Sequence, residues 1–113
     1  MITFEATIEL RVSGPNRSEH FQHVVDAYYA IEQADESLLD AAWSFADGDE
    51  HADVEVELTL RGDSEDTAYK AAACAVRAAI HAAGGFTPDW DDRPDPHTPV
   101  YRLDDIEIEL VPA

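Results

Sequence analysis

Polar and apolar residues alternate without a break from Ile2 to Val12. Ile2, Phe4, Ala6, Ile8, Leu10 and Val12 are apolar, and Thr3, Glu5, Thr7, Glu9 and Arg11 between them are polar. A period of two sends alternate side chains to opposite sides of a strand, so this segment is expected to be a strand with one buried face. Ser13-Gly14-Pro15-Asn16 breaks the pattern with turn-forming residues. The period then changes. Phe21, Val24, Val25, Tyr28 and Ile31 recur at helical spacing, which predicts a helix over about residues 17–34. Asn16 stands at its N-cap position with Glu19 three residues on, the pattern of a capping box, and Asp35-Glu36 ends it.

Residues 36–46 fit two patterns. As a strand they align Leu39, Ala41, Trp43 and Phe45 on one face; as a helix they align Leu38, Leu39, Ala42, Trp43 and Ala46. Asp47-Gly48-Asp49 is a turn signal, and the strand after it is unambiguous: Val54, Val56, Leu58 and Leu60 alternate with Asp53, Glu55, Glu57, Thr59 and Arg61. A hairpin is the economical connection and favours the strand; the helical alternative leaves a three-stranded sheet. Gly62-Asp63-Ser64 opens a second helix, over about residues 64–83. Its stripe of Ala68, Ala72, Ala75, Val76, Ala79, Ile80 and Ala83 allows close approach to a sheet, with Gly84-Gly85 as its stop. Residues 86–99 form a loop carrying Pro88, Pro94, Pro96 and Pro99. A last strand covers about residues 100–111, with Ile106, Ile108 and Leu110 inward and Asp105, Glu107 and Glu109 outward. Tyr101 and Leu103 have the other parity, so a bulge is expected near Asp104.

The order β-α-β-β-α-β resembles the split βαβ arrangement of ferredoxin-like folds. It implies an α+β two-layer sandwich over residues 1–113, with two helices on one face of a four-stranded antiparallel sheet. The first and third strands would lie at the centre, with the last beside the first. Such a fold hosts many activities and specifies none.

Charge changes this picture most. The 113 residues include 25 Asp and Glu against 7 Lys and Arg, a formal −18. Nucleic acid and anionic membrane surfaces are disfavoured partners, because both need a basic footprint. The excess reads either as adaptation to concentrated salt, which suits Lys70 as the sole lysine, or as a surface for a basic partner. Cys74 is the single cysteine, so no intrachain disulfide can form. The N-terminus has no basic signal region and no run of ~20 apolar residues exists, which leads to the expectation of a cytoplasmic protein.

Four constellations are candidates for chemistry. Glu5, Glu9, Glu55, Glu57, Glu107 and Glu109 would share the uncovered sheet face, where opposed like charges need relief from cations, a basic protein, or Arg11, Arg61 and Arg102 interleaved among them. An acidic mimic of nucleic acid is a variant of this idea. Lys70, Cys74, Arg77 and His81 form one helical stripe in which neighbouring cations could activate a thiol, though such a stripe is ordinarily a solvated helix face. The 86–99 loop brings Trp90, Asp91, Asp92 and His97, candidates for a ligand-binding or catalytic lid. Its aspartates resemble part of a calcium loop, but Pro94 replaces the required glycine and no Glu closes it. His20, His23, His51, His81 and His97 lack the spacing of a zinc site and read as scattered surface histidines. No nucleotide-binding loop or nucleophile elbow is present, so no cofactor is implied. The sequence therefore leads to a non-enzymatic domain that binds a protein partner or a second copy of itself, with a small-ligand or enzymatic domain as the alternative.

Overall fold

The computed structural model describes residues 2–85, Thr87 and residues 100–111. The elements are β1 (Ile2–Ser13), α1 (Arg17–Ala34), β2 (Leu38–Asp47), β3 (His51–Gly62), α2 (Glu65–Ala82) and β4 (Val100–Leu110). The strands form one antiparallel sheet in the order β2-β3-β1-β4. With two helices this is the ferredoxin-like α+β arrangement expected from the alternation. Among the described residues, no helix is long and apolar enough to cross a membrane.

The core is built on the two central strands. Phe4, Ala6, Ile8, Leu10 and Val12 of β1 and Val54, Val56, Leu58 and Leu60 of β3 are all buried. Each large apolar side chain buried there contributes about 1.5–3 kcal/mol, which makes the β1–β3 pair the mainstay of the fold. Phe21, Val24 and Tyr28 of α1 and the alanine stripe of α2 close over it. Gly62 lets α2 start close to the sheet, since a Cβ at that position would lie 3.3 Å from the Ala68 Cβ.

Residues 38–47 form a strand, not a helix, and Arg17 holds the turn that follows. Its Nε bonds Asp47 Oδ1 at 2.7 Å and its guanidinium donates to the Gly48 carbonyl at 2.6 Å and the Gly14 carbonyl at 3.2 Å. One cation thus ties the β1–α1 turn to the β2–β3 hairpin. Gly48 is needed in that hairpin because a Cβ would meet the His51 carbonyl at 2.8 Å.

Two local expectations are corrected. Leu39 does not share the inward face of Ala41, Trp43 and Phe45: the β2–β3 register shifts between Leu38 and Asp40, so Leu38 is buried and Leu39 stays exposed. Nor does Asn16 form a capping box with Glu19. Its backbone is left-handed, at φ 55° and ψ 31°, whereas a side-chain cap uses an extended residue, and its side chain makes no cap bond. The first turn of α1 is held instead by the Asn16 carbonyl, which accepts from His20 N–H at 2.9 Å. Ser64, which is extended, does cap α2 by accepting from Thr67 N–H at 3.2 Å. The bulge expected near Asp104 is present: Leu103 pairs with Leu10 and Asp105 with Glu9, leaving Asp104 between them.

Candidate functional site

The helices cover one face of the sheet, and the other face carries the polar parity of every strand. Pairing registers turn that face into rows across β2, β3, β1 and β4. One row reads Asp40, Thr59, Glu5, Glu109, and the next Ala42, Glu57, Thr7, Glu107. Then come Ser44, Glu55, Glu9, Asp105, followed by Ala46, Asp53, Arg11, Arg102. All six glutamates expected on this face therefore lie on it and are exposed. Glu9 stands directly between Glu55 and Asp105, and Glu5 directly opposite Glu109. Each directly opposed like-charge pair costs about 0.2–1 kcal/mol in a sheet.

The arginines are not interleaved among these acids. Arg11 and Arg102 oppose each other in one row, and Arg61 sits opposite Thr3 at the far end. Arg11 Nε reaches Asp104 at 3.7 Å rather than a glutamate of the central rows. The central carboxylates are consequently left facing one another.

Strand β2 differs from its neighbours in presenting short side chains on this face. Beside Ser44 and Ala46 the surface falls into a depression of about 350 Å³ whose rim includes Glu9, Asp53, Glu55 and Asp104. The long side chains of β3 and β1 stand over the short ones of β2, so the shape follows directly from the sequence of rows. Among the described residues, no group of three or more His, Cys, Asp or Glu is arranged to hold a metal ion.

The remaining candidates fare differently. Trp90, Asp91, Asp92 and His97 lie outside the described residues. On α2, Cys74 is exposed; Lys70 Nζ lies 3.1 Å from Asp66 and His81 Nε2 lies 2.8 Å from the buried Thr87 hydroxyl, while Arg77 Nε has no hydrogen-bonding partner among the described residues.

His20 is not a surface histidine. Its Nε2 lies 2.8 Å from the Ala83 carbonyl and its Nδ1 2.8 Å from the Tyr101 hydroxyl. The carbonyl can only accept, so Nε2–H donates to it and Nδ1 accepts from Tyr101. The imidazole thereby joins α1 to the end of α2 and the start of β4. Burial holds its pKa below the ordinary histidine value, with the Ala83 bond opposing and His23 adding to the shift. Burial likewise raises the Tyr101 hydroxyl. No local pattern announces this bridge, because its partners are distant in sequence.

A second polar cluster lies under β2. Tyr28 is fully buried, packs against Trp43 at a ring separation of 5.4 Å, and its hydroxyl has no hydrogen-bonding partner among the described residues. The same holds for Glu32 Oε2 and Trp43 Nε1. Burial, and then Asp40, push the Glu32 carboxyl above its ordinary range.

No family model and no curated protein matches the chain. Among solved structures, a de novo designed protein, Foldit4, is similar with a TM-score of 0.49 at 10% identity, over 98% of each chain.

Proposed function

We propose that the protein is a non-enzymatic binding domain whose open sheet face receives a basic segment of a partner protein. The observation that supports it is the depression beside Ser44 and Ala46, rimmed by Glu9, Asp53, Glu55 and Asp104. A guanidinium or ammonium group entering it would separate Glu9 from Glu55, which oppose each other directly, and donate charge-assisted hydrogen bonds to both. The exposed thiol of Cys74 suits a reducing compartment, which makes the cytoplasm the proposed setting.

Calorimetric titration with an arginine-rich peptide tests the reading, in about 0.1 M and about 1 M KCl to vary screening. Replacing Glu9 and Glu55 together by Gln is expected to weaken low-salt binding about tenfold or more, since it removes the facing carboxylates. The control is Glu65→Gln with Asp66→Asn on α2, which removes the same formal charge and is expected to weaken binding less than about threefold. Equal losses in the two variants would assign the binding to net charge and sink the reading.

A second reading, adaptation to concentrated salt, is favoured by the spread of the acids. Glu19 and Asp26 on α1 and Glu65 and Asp66 on α2 are exposed as well, far from any shared site. Under it the carboxylates hold the protein in solution where ions are abundant, and stability rises with KCl while the arginine-rich peptide shows no preference for the sheet face.

A further inference from the structure

Strand β2 is an edge of the sheet, and its free side can be read residue by residue. Arg61 N–H donates to the Ser37 carbonyl, so the odd-numbered residues of β3 turn their backbone groups towards β2. Asp53, Glu55, Glu57 and Thr59 are therefore in register to exchange bonds with Ala46, Ser44, Ala42 and Asp40. The backbone groups of Ala41, Trp43 and Phe45 then point away from the sheet. Those of Ala41 are already taken: its N–H donates to Asp40 Oδ1 at 2.9 Å and its carbonyl accepts from the Tyr29 hydroxyl at 3.4 Å. Trp43 and Phe45 are left with donors and acceptors unpaired among the described residues.

Proteins usually guard such an edge with charge, proline or a bulge. The stretch Ala41-Ala42-Trp43-Ser44-Phe45-Ala46 has no charge and no proline, on a chain of formal charge −18. The bulge at Leu38–Asp40 lies before this stretch, not within it.

We infer that the protein forms a two-fold dimer through antiparallel pairing of its β2 edges, centred on Ser44. This register uses the groups that are free. Trp43 exchanges both backbone bonds with the partner's Phe45, and Phe45 with the partner's Trp43. Centring the pair on Trp43 instead would require the backbone of Ala41, which Tyr29 and Asp40 occupy.

The side chains agree with the backbone. On the helix side Trp43 and Phe45 meet as cross-strand aromatic pairs, and on the open side Ser44 meets itself while Ala42 meets Ala46. No like charges oppose each other within the paired stretch. The result is a continuous sheet with an isologous contact, which closes after two copies. Long-range repulsion between two strongly acidic copies opposes it, so pairing tightens as salt screens that repulsion. The inference rests on the edge and its register, and stands or falls independently of the docking reading above.

Sedimentation equilibrium, with reductant present to keep Cys74 out of the result, tests it in about 0.1 M and about 3 M KCl. In the concentrated salt the mass is expected to approach twice 12.5 kDa, with a weaker association in the dilute salt. Ser44→Glu sets two carboxylates against each other on the axis and is expected to weaken the dimer about tenfold or more. Ala78→Glu, on the exposed side of α2, adds the same charge elsewhere and is expected to change it less than about threefold. Ala42→Asp faces the partner's Ala46 and serves as the second edge variant should Ser44→Glu lose its circular dichroism. A wild-type protein that stays monomeric at about millimolar concentration in both salts overturns the inference, as does a dimer that the folded edge variants leave intact.

Discussion

The two edges of the sheet, β2 and β4, are built on opposite principles. On the open face β4 presents Arg102, Asp105, Glu107 and Glu109, whereas β2 presents Asp40, Ala42, Ser44 and Ala46. On the helix side the contrast reverses. The aromatic residues of β2 are packed, with Trp43 6.0 Å from Phe21 and Phe45 4.9 Å from it, while Ile106 and Ile108 of β4 are only partly covered and Leu110 is 62% exposed. A second copy approaching β4 would set acids against acids. The same approach at β2 meets small neutral side chains. An edge can thus be protected by charge without being well packed, and well packed without being protected.

The largest effect separates the two edges by packing. Trp43→Ala is expected to destabilise the monomer by about 3 kcal/mol and Ile108→Ala by about 1 kcal/mol, because the ring fills space between α1 and the sheet and Ile108 is only partly covered. Denaturant unfolding of both variants would measure the difference, and equal losses would erase the comparison. Next comes the clamp that sets where β2 ends. Arg17→Met is expected to cost about 2 kcal/mol, since it removes charge-assisted bonds to Asp47 and the Gly48 carbonyl together. Its hairpin amides should exchange faster than those of β1.

Charge on β4 can be removed directly. Asp105→Ser, Glu107→Ser and Glu109→Ser combined would make that edge resemble β2. Relief of the oppositions with Glu9 and Glu5 is expected to raise stability by about 1 kcal/mol in dilute salt, with the gain fading in about 3 M KCl. The variant should also begin to associate through β4. A triple variant of unchanged stability in dilute salt would show that the carboxylate rows carry no strain.

A smaller effect comes with pH. His20 has its pKa lowered in the folded protein, so the folded state binds its proton less readily than the unfolded chain. The stability tied to the neutral imidazole is complete above the unfolded value of 6.5 and is lost as pH falls below it towards the lowered folded value. A thermal melt that declines below pH 6.5 in the wild type, and less steeply in His20→Gln, would locate the effect at this bridge. The smallest expected change is Tyr28→Phe, within about 0.5 kcal/mol of zero, because it deletes a hydroxyl that has no hydrogen-bonding partner among the described residues.

How far the sequence revealed these features depends on the range of the interaction. The strict alternation in β1 and β3 determines which residues are buried, and the parity switch between Leu103 and Ile106 foretells the bulge at Asp104. Both signals are local. The shift at Leu39 sits between two adjacent leucines, either of which satisfies an apolar pattern, so periodicity cannot choose between them. Asn16 has the side chain of a cap, yet the turn through Gly14-Pro15 brings it in with a left-handed backbone. Arg17 to Asp47 and His20 to Tyr101 span 30 and 81 residues, and nothing near either residue points to its partner. The glutamate face was legible because alternation alone assigns it. The depression within it was not, because it needs the β2 register that places Ser44 beside Glu55.

Amide hydrogen exchange resolved by residue tests the contrast between the edges most directly. It would follow Trp43 and Phe45 on β2 and Ile106 and Ile108 on β4, in dilute and concentrated protein in about 3 M KCl. The two β2 amides are expected to gain about tenfold or more protection as concentration rises, while the two β4 amides exchange at the same rate throughout. Protection that rises at Ile106 and Ile108 instead, or at neither edge, would contradict it.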